Sequence, residues 1–530
     1  MPLPRRSGIL LHPISLPGPH GAGDLGAAAY HFIDWLQIGR QSLWQVLPLG
    51  DIGLGNSPYM SSSAFAGNVL LIDLGQLHEA GWLDEADLAA APDFDALRVN
   101  YPSVIHFRME RLRRASKCFF ATAPAEIRSP FEKFCADAQG WLDDYALFKA
   151  LENACGGSGV SWQAWPAPLA HRDPAALADA ARLHAEEVGM WKFCQWCFSD
   201  QWKRLKAYAN ARNVEIVGDV PIFVALHSAD VWSHPELFDL DANGQPLAVS
   251  GVPPDKFSDS GQHWGNPLYR WPAHAAQGYQ WWGDRMQWAM RLYDMVRIDH
   301  FRGFEANWEI PVEAETAMEG HWRPGPGAAL FSALQQKLGA LRLIAEDLGV
   351  ITAEVTALRK RLGLPGMRIL QFAFDFNPDN PYLPHNYQSD TVAYTGTHDN
   401  DTTRGWWNSL SEHERDYARR YLSVSGDWIH WDLIRAASSS VAAFAIAPMQ
   451  DVLGLDSAHR MNRPGLGQGS WEWRFSWDLV ASWHAGYLAE LTALYGRIWQ
   501  PGEPSLQALK RATDRNESAP YPCASAESVK

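Results

Sequence analysis

The sequence predicts a closed parallel β/α barrel, an α/β fold of the (β/α)8 TIM barrel type. Eight short apolar runs recur along the chain, most of them followed by a polar residue and then by a helical pattern. Between these runs, stretches such as "AAAYHFIDWLQ" and "TAEVTALRKRL" place apolar residues at helical spacing. The alternative, an open doubly wound sheet, normally carries a glycine-rich phosphate loop after an early strand, and the sequence shows none there. Eight buried strands alternating with helices therefore favour the barrel.

The eight predicted strands follow one another unevenly. In chain order they are "GILLHP" from Gly8, "SLWQVLPLG" from Ser42, "VEIVGDVPIFV" from Val214, "MVRIDHF" from Met295, "LRLIAEDLG" from Leu341, "MRILQFAFD" from Met367, "TVAYTGTHD" from Thr391 and "AFAIAPMQD" from Ala443. Near-continuous apolar runs of this length are typical of strands that are buried on both faces. The long gaps after the second and third strands predict inserted subdomains.

The composition of each gap indicates what it contains. Residues 51–205 are rich in helix formers and aromatic residues, which predicts a mostly helical subdomain. Residues 225–275 are rich in Gly, Pro, Asp and Asn, which predicts loops over a strand end. We expect residues 1–500 to form a single catalytic barrel with these insertions. Residues 501–530 lose apolar periodicity, which predicts a disordered C-terminal tail.

Charge and cysteine content exclude several classes of function. Over 530 residues, 45 basic and 60 acidic side chains give a net charge of −15, which disfavours nucleic acid as a partner. Six irregularly spaced cysteines do not suggest a disulfide framework, so the cytoplasm is the expected location. No window approaches the roughly 18 apolar residues of a membrane span. The 19 histidines include no H-x-H or H-E-x-x-H, so neither a catalytic metal nor another cofactor is predicted.

Four carboxylates fall near the ends of four different predicted strands: Asp219, Asp299, Glu346 and Asp399. In a β/α barrel the chemistry is built where the strands end, on the C-terminal face. His398, next to Asp399, follows a strand beside a Gly-Thr turn, where polar side chains can face a ligand. The four carboxylates are therefore candidate active-site residues.

The fourth predicted strand holds Arg297 and Asp299 two residues apart. Strand side chains alternate, so these two share one face, and the guanidinium is expected to keep Asp299 ionised. The alternative is a plain ion pair that closes one layer of the barrel. Glu346 follows a largely apolar run, where a negative neighbour would raise its pKa and suit it to general acid work, although a helix cap or a salt bridge is an open alternative. Two carboxyl groups in opposite protonation states resemble the pair that cleaves a glycosidic bond.

Six motifs together identify a family. They are "SPYMSSSAFAGN" at 57–68, "GDVPIFV" at 218–224, "GVPPDKFSDSGQHWGNPLYRW" at 251–271, "VRIDHFRGF" at 296–304, "IAEDLG" at 344–349 and "YTGTHDNDT" at 394–402. This set resembles the 4-α-glucanotransferases, the amylomaltases or disproportionating enzymes of glycoside hydrolase family 77 in the α-amylase clan. "MNRPGLGQGSWEWRF" at 461–475 extends the resemblance, which runs from about Gly8 to Trp473.

The resemblance implies a role for each matching position. Asp299 is similar to the nucleophile, Glu346 to the general acid/base and Asp399 to the transition-state stabiliser. The implied substrate-binding residues are Tyr59, Asp219, Gln262, Trp264, Arg297, His398, Asp375 and Asn462. The segment "GVPPDKFS" is similar to the flexible loop that folds over the substrate. Met60 stands where the family commonly has Gln, and Lys256 where an aromatic or small residue is usual.

The resemblance further implies a retaining transfer of α-1,4-glucan segments among maltooligosaccharides, with glucose as an acceptor. One alternative is an α-glucan hydrolase of the same clan. Another is a catalytically silent glucan-binding protein that uses the same aromatic cleft, although all three catalytic carboxylates are present in the sequence.

Overall fold

A computed structural model describes residues 3–157, 159–254, 259–466 and 469–499. Twelve strands form within these residues. They are β1 (Arg6–Leu10), β2 (Leu43–Gln45), β3 (Glu215–Val220), β4 (Ala248–Val252), β5 (Gln262–Pro267), β6 (Met295–Ile298), β7 (Ala306–Pro311), β8 (His321–Pro324), β9 (Leu343–Ala345), β10 (Gly366–Ile369), β11 (Thr391–Tyr394) and β12 (Phe444–Pro448).

Eight of these strands close into a barrel in the order β1-β12-β11-β10-β9-β6-β3-β2. Every neighbouring pair is parallel. Each of the eight barrel strands overlaps one of the eight apolar runs identified from the sequence, so the predicted fold class is confirmed. In β6, Val296 and Ile298 pack into the hydrophobic core, whereas Arg297 between them contacts polar side chains. Alternation along one buried strand thus separates the packing residues from the site residue.

Helices surround the barrel and fill the first insertion. Within the described residues they are Ala27–Ile38, Leu74–Glu79, Glu85–Ala89, Tyr101–Thr122, Ala125–Asp137, Gln139–Ala154, Ala167–Ala170, Pro174–Leu183, Ala185–Ala211, Ala229–Ser233, Trp271–Ala276, Gln280–Leu292, Ala328–Leu338, Ala353–Arg361, Thr403–Ser409, Glu412–Leu422, Ile429–Ser439, Met449–Val452 and Ser482–Leu494. Eight of them lie between β2 and β3, where the sequence predicts a mostly helical subdomain.

The longest helix, Ala185–Ala211, contains the C-x-x-C pair Cys194 and Cys197. Both cysteines are buried and unbonded to each other, and both belong to the hydrophobic core. The helix packs against Gln139–Ala154 and Tyr101–Thr122, so the two thiols occupy a helix-packing surface.

The second insertion contains strands that the sequence does not predict. Besides its loops, the segment 225–275 contributes β4 and β5 to a four-stranded antiparallel sheet in the order β5-β4-β7-β8. The central contact is between β4 and β7, which are distant in sequence, and Gly251 of β4 lies opposite Trp308. Local composition signals turns, but it carries no sign of a partner strand that lies beyond β6. Tertiary pairing therefore overrides the local preference for loops.

Two features of the sequence lie outside the described residues: the tail at 501–530 and Lys256 in the loop motif. None of the helices in the described part of the chain is long and apolar enough to cross a membrane.

Candidate active site

Three neighbouring barrel strands bring four candidate residues to one end of the barrel. Asp219 lies in β3, directly opposite Arg297 of β6. Asp299 is the first residue after β6, and Glu346 is the first residue after β9. Because the three strands are adjacent and parallel, their C-terminal ends meet at the same barrel mouth.

The Arg297 guanidinium joins two of these carboxylates. Its Nη1 is 2.8 and 2.7 Å from the two carboxylate oxygens of Asp219, and its Nη2 is 2.9 Å from Oδ1 of Asp299. The arginine side chain is only 4% exposed, so these ion pairs are weakly screened by solvent. Arg297 and Asp299 share one face of the strand, as alternation predicts. Arg297 therefore forms ion pairs with two carboxylates, Asp219 and Asp299.

Asp219 is buried beneath the residues that line the site. Its side chain is 0% exposed, and it accepts a hydrogen bond from the hydroxyl of Tyr59 at 2.9 Å in addition to those from Arg297. Burial raises the pKa of Asp219, while the Arg297 guanidinium favours the ionised carboxylate and opposes that rise. Asp219 thus positions Arg297 and Tyr59.

Glu346 is buried and held by two backbone amides. The N–H of His300 donates to its Oε2 at 2.7 Å, and the N–H of Leu348 donates to its Oε1 at 2.8 Å. Burial raises the pKa of Glu346 to about 8; Arg297 lowers it and the charge of Asp299 raises it further. At neutral pH the carboxyl group therefore retains a proton that it can donate.

His300, which the sequence reasoning did not single out, has a left-handed backbone with φ 49° and ψ 50°. A non-glycine residue in this region costs about 1 to 3 kcal/mol, and such strain concentrates at functional sites. Here the strained backbone presents its N–H to Glu346. Burial lowers the pKa of the imidazole to about 3, so the ring is neutral. The one feature of the sequence that could have indicated its role is its position directly after Asp299.

The loop after β11 contributes the third candidate catalytic carboxylate. Asn462 donates to Oδ1 of Asp399 at 2.6 Å, and the imidazole of His398 lies 3.3 Å from Oδ2. The His398 ring stacks on Tyr59, with ring centroids 5.3 Å apart and planes at 11°. Trp471 packs against both rings. The sequence did not mark it as a site residue, although it lies in the "GSWEW" part of the last motif. These contacts fix Asp399 at the rim of an aromatic wall.

A cavity of about 530 Å³ joins these groups, a size suited to a small ligand. It is lined by nine of the residues predicted from the sequence: Tyr59, Gln262, Trp264, Arg297, Asp299, Glu346, His398, Asp399 and Asn462. Met60 also lines it. Gln262 and Trp264 come from β5, and Nε1 of Trp264 donates to Oε1 of Gln262 at 3.1 Å. The antiparallel sheet of the second insertion therefore forms part of the cavity wall.

Asp375 is placed elsewhere. It is exposed and is not among the residues that line the cavity, and its carboxylate accepts the N–H of Asn377 at 3.1 Å. Its role in substrate binding stays a prediction. Across the described residues, no group of three or more His, Cys, Asp or Glu side chains is arranged to hold a metal ion.

Comparison with known proteins identifies the family. A profile described as 4-alpha-glucanotransferase matches residues 11–480. The chain belongs to the 4-α-glucanotransferase family. A 4-alpha-glucanotransferase of Thermus thermophilus is 50% identical over 485 residues, which is 89% of this chain and 95% of the relative. One from Synechocystis is 48% identical over 497 residues, covering 93% of this chain and 98% of the relative.

A solved structure agrees with the family assignment. An amylomaltase from Streptococcus agalactiae, determined in complex with acarbose, superposes with a TM-score of 0.90 at 38% sequence identity. The match covers 93% of this chain and 99% of that one. The barrel with its insertions is thus the architecture of a 4-α-glucanotransferase.

Proposed function

We propose that the protein transfers a segment of a 1,4-α-glucan to the 4-hydroxyl of glucose or of another glucan by a retaining double displacement. One observation carries the mechanism. Asp299 is paired with a guanidinium at 2.9 Å, while burial raises the pKa of the neighbouring Glu346 to about 8. At neutral pH Asp299 thus forms an ion pair with a cation, and Glu346 carries a proton. Cleavage of a glycosidic bond by a pair of carboxyl groups requires this division of roles.

In the first step, an Asp299 carboxylate oxygen attacks the anomeric carbon and the glycosidic C–O bond breaks. Glu346 transfers its proton to the departing oxygen, which becomes the 4-hydroxyl of the released glucan. The remaining segment is held as a glycosyl ester of Asp299. Arg297 loses one charged partner in this step but retains Asp219, so it stays oriented for the return of the carboxylate.

In the second step, the 4-hydroxyl of an acceptor sugar enters, and Glu346, now ionised, removes its proton. The acceptor oxygen bonds to the anomeric carbon and displaces Asp299 with net retention. We assign the stabilisation of positive charge at the sugar ring to Asp399, which Asn462 and His398 orient. Tyr59, Gln262 and Trp264 line the cavity and bind the glucan, supported by Asp219.

The product pattern tests the reaction. Incubated with maltotriose, the enzyme is expected to form glucose together with a ladder of maltooligosaccharides longer than the substrate. Transfer conserves the number of reducing ends, whereas hydrolysis adds one for each cleavage. Chromatography of the products with a reducing-end assay measures both. Glucose and maltose alone, with reducing ends rising in step, would instead establish an α-glucan hydrolase.

The pKa of Glu346 predicts a loss of activity at alkaline pH. The acid must be protonated, so kcat/KM for maltotriose should be high below pH 8 and fall about tenfold per pH unit above it. An α-maltotriosyl fluoride serves as the control, because fluoride departs with less need of a proton. With this substrate, the rate of glycosyl-enzyme formation should decrease much less above pH 8. Equal alkaline limbs for both substrates would contradict the assignment of Glu346 as the acid.

A further inference from the structure

Trp322 is a large aromatic residue at the cavity wall to which the sequence motifs assign no role. It lies in β8, which the sequence analysis did not predict, and it lines the same cavity as the carboxylates. The residue is 36% exposed, although Trp308 packs next to it. A tryptophan ring partly open to a polar cavity offers a flat apolar surface to a ligand.

Two neighbouring side chains, Arg302 and Trp308, pack against the Trp322 ring. The Arg302 guanidinium carbon lies 3.6 Å from the centroid of the Trp322 ring, a cation–π contact. Trp308 lies opposite it in the strand pair, and the two rings form a T-shaped pair with centroids 4.9 Å apart and planes at 68°. Nε1 of Trp308 in turn donates to the carbonyl of Ala317 at 2.8 Å. With Arg302 on one face and Trp308 packed beside it, Trp322 still remains 36% exposed and lines the cavity.

Arg302 is itself fixed. It is buried and donates to the carbonyl oxygens of Val350 and Ala306, and Glu305 lies 3.8 Å from its Nη2. A guanidinium held at several points sets the orientation of the ring stacked on it. The aromatic surface is therefore arranged before any ligand arrives, which reduces the entropy lost on binding.

The contacts of Arg302 place Trp322 on the Glu346 side of the cavity. Val350, which accepts from Arg302, and Leu348, whose N–H donates to Glu346, belong to the segment that follows the acid, and both line the cavity. The aromatic wall of Tyr59 and His398 belongs to the Asp399 side. An acid that protonates the departing oxygen faces the leaving group, and the acceptor enters at that same position.

From this arrangement we propose that Trp322, positioned by Arg302, is an acceptor-binding residue that stacks on a glucose ring of the incoming sugar. This inference rests on the proposed transferase function. Holding the acceptor hydroxyl near the anomeric carbon favours its attack over that of water, because an oriented reactant gains a high effective concentration. Trp322 therefore sets the ratio of transfer to hydrolysis, whereas formation of the glycosyl enzyme depends on it much less.

The experiment compares Trp322→Ala with Trp322→Phe, which keeps an aromatic face. Trp428→Ala is the matched control, because Trp428 is exposed and is not among the cavity-lining residues. Each protein receives α-maltotriosyl fluoride as donor and isotopically labelled glucose as acceptor. The rate of the initial fluoride burst, which precedes the second step, measures formation of the glycosyl enzyme, and labelled maltooligosaccharide measures transfer. For Trp322→Ala we expect the acceptor KM to rise about tenfold, which corresponds to about 1.4 kcal/mol, and the hydrolysed fraction to increase. Trp322→Phe should stay within about threefold of the wild type.

An acceptor KM and a hydrolysed fraction in Trp322→Ala equal to those of Trp428→Ala would overturn the proposal. So would a loss in the rate of the fluoride burst as large as the loss of transfer, because that result describes a donor or structural role. If Trp322→Ala does not fold, Trp322→Leu replaces it, since leucine fills volume without a flat face. A wild-type enzyme that only hydrolyses maltotriose refutes the transferase function itself, whereas active transfer with no response to these variants refutes only the role of Trp322.

Discussion

Replacing Asp299 with asparagine is expected to lower kcat/KM on maltotriose by about 10⁴-fold or more, as loss of a covalent nucleophile does. The amide occupies the same space and can still accept a hydrogen bond from Arg297, so the cavity and its glucan binding should persist. Activity is measured from glucose release, and binding of maltoheptaose by calorimetry. Asp379→Asn makes the same change at an exposed carboxylate outside the cavity lining and should leave both unchanged. Activity of Asp299→Asn within tenfold of the wild type would refute its assignment as nucleophile.

The covalent step can also be observed directly. In Glu346→Gln the second step lacks its base, while α-maltotriosyl fluoride still allows the first. We expect intact-mass spectrometry to show protein heavier by one maltotriosyl unit, and peptide mapping to locate the added mass at Asp299. Because Asp299→Asn removes the attacking carboxylate, Asp299→Asn combined with Glu346→Gln should show no added mass. Label on another residue would disprove the proposed intermediate.

Replacing Arg297 with methionine is expected to impair both stability and activity. Met approximates the length of the arginine stem, but it leaves the buried Asp219 without its ion pair and Asp299 without its cation. Loss of one partner of a buried pair costs about 3 to 5 kcal/mol of unfolding free energy. Loss of the charge that orients the nucleophile should lower kcat/KM by about 10³-fold. Urea unfolding and maltotriose turnover measure the two effects, and Arg361→Met, at an exposed arginine, is the control.

A second substitution separates the two roles of Arg297. Adding Asp219→Asn to Arg297→Met removes the uncompensated buried carboxylate, so part of the unfolding free energy should return. Activity should not return, because Asp299 still lacks its cation. If Arg297→Met instead retained activity within a few-fold of the wild type, the arginine would be a structural ion pair alone.

The barrel was predictable because its signals are local. Each barrel strand is a short apolar run, and the candidate carboxylates lie at the ends of these runs, where the chemistry of a β/α barrel is built. Arg297 and Asp299 could be assigned to one face by alternation alone. The family motifs then attached roles to individual positions.

The antiparallel sheet was not predictable in this way. The strand β4 contains Gly251 and precedes two prolines, so its composition indicates turns, and its partner β7 lies beyond a barrel strand. The same sheet carries Gln262, Trp264 and Trp322 to the cavity wall. The sequence motifs could therefore mark Gln262 and Trp264 as binding residues without showing the element that holds them.

The barrel strands, the residue types at their ends and the family of the chain can be read from the sequence alone, because they are patterns within short segments. Which charged groups contact one another depends on the folded barrel: Arg297 pairs with both Asp219 and Asp299, and the backbone N–H of His300 donates to Glu346. These contacts join residues from different strands, and the burial that raises the pKa of Glu346 to about 8 exists only when the barrel has closed around it.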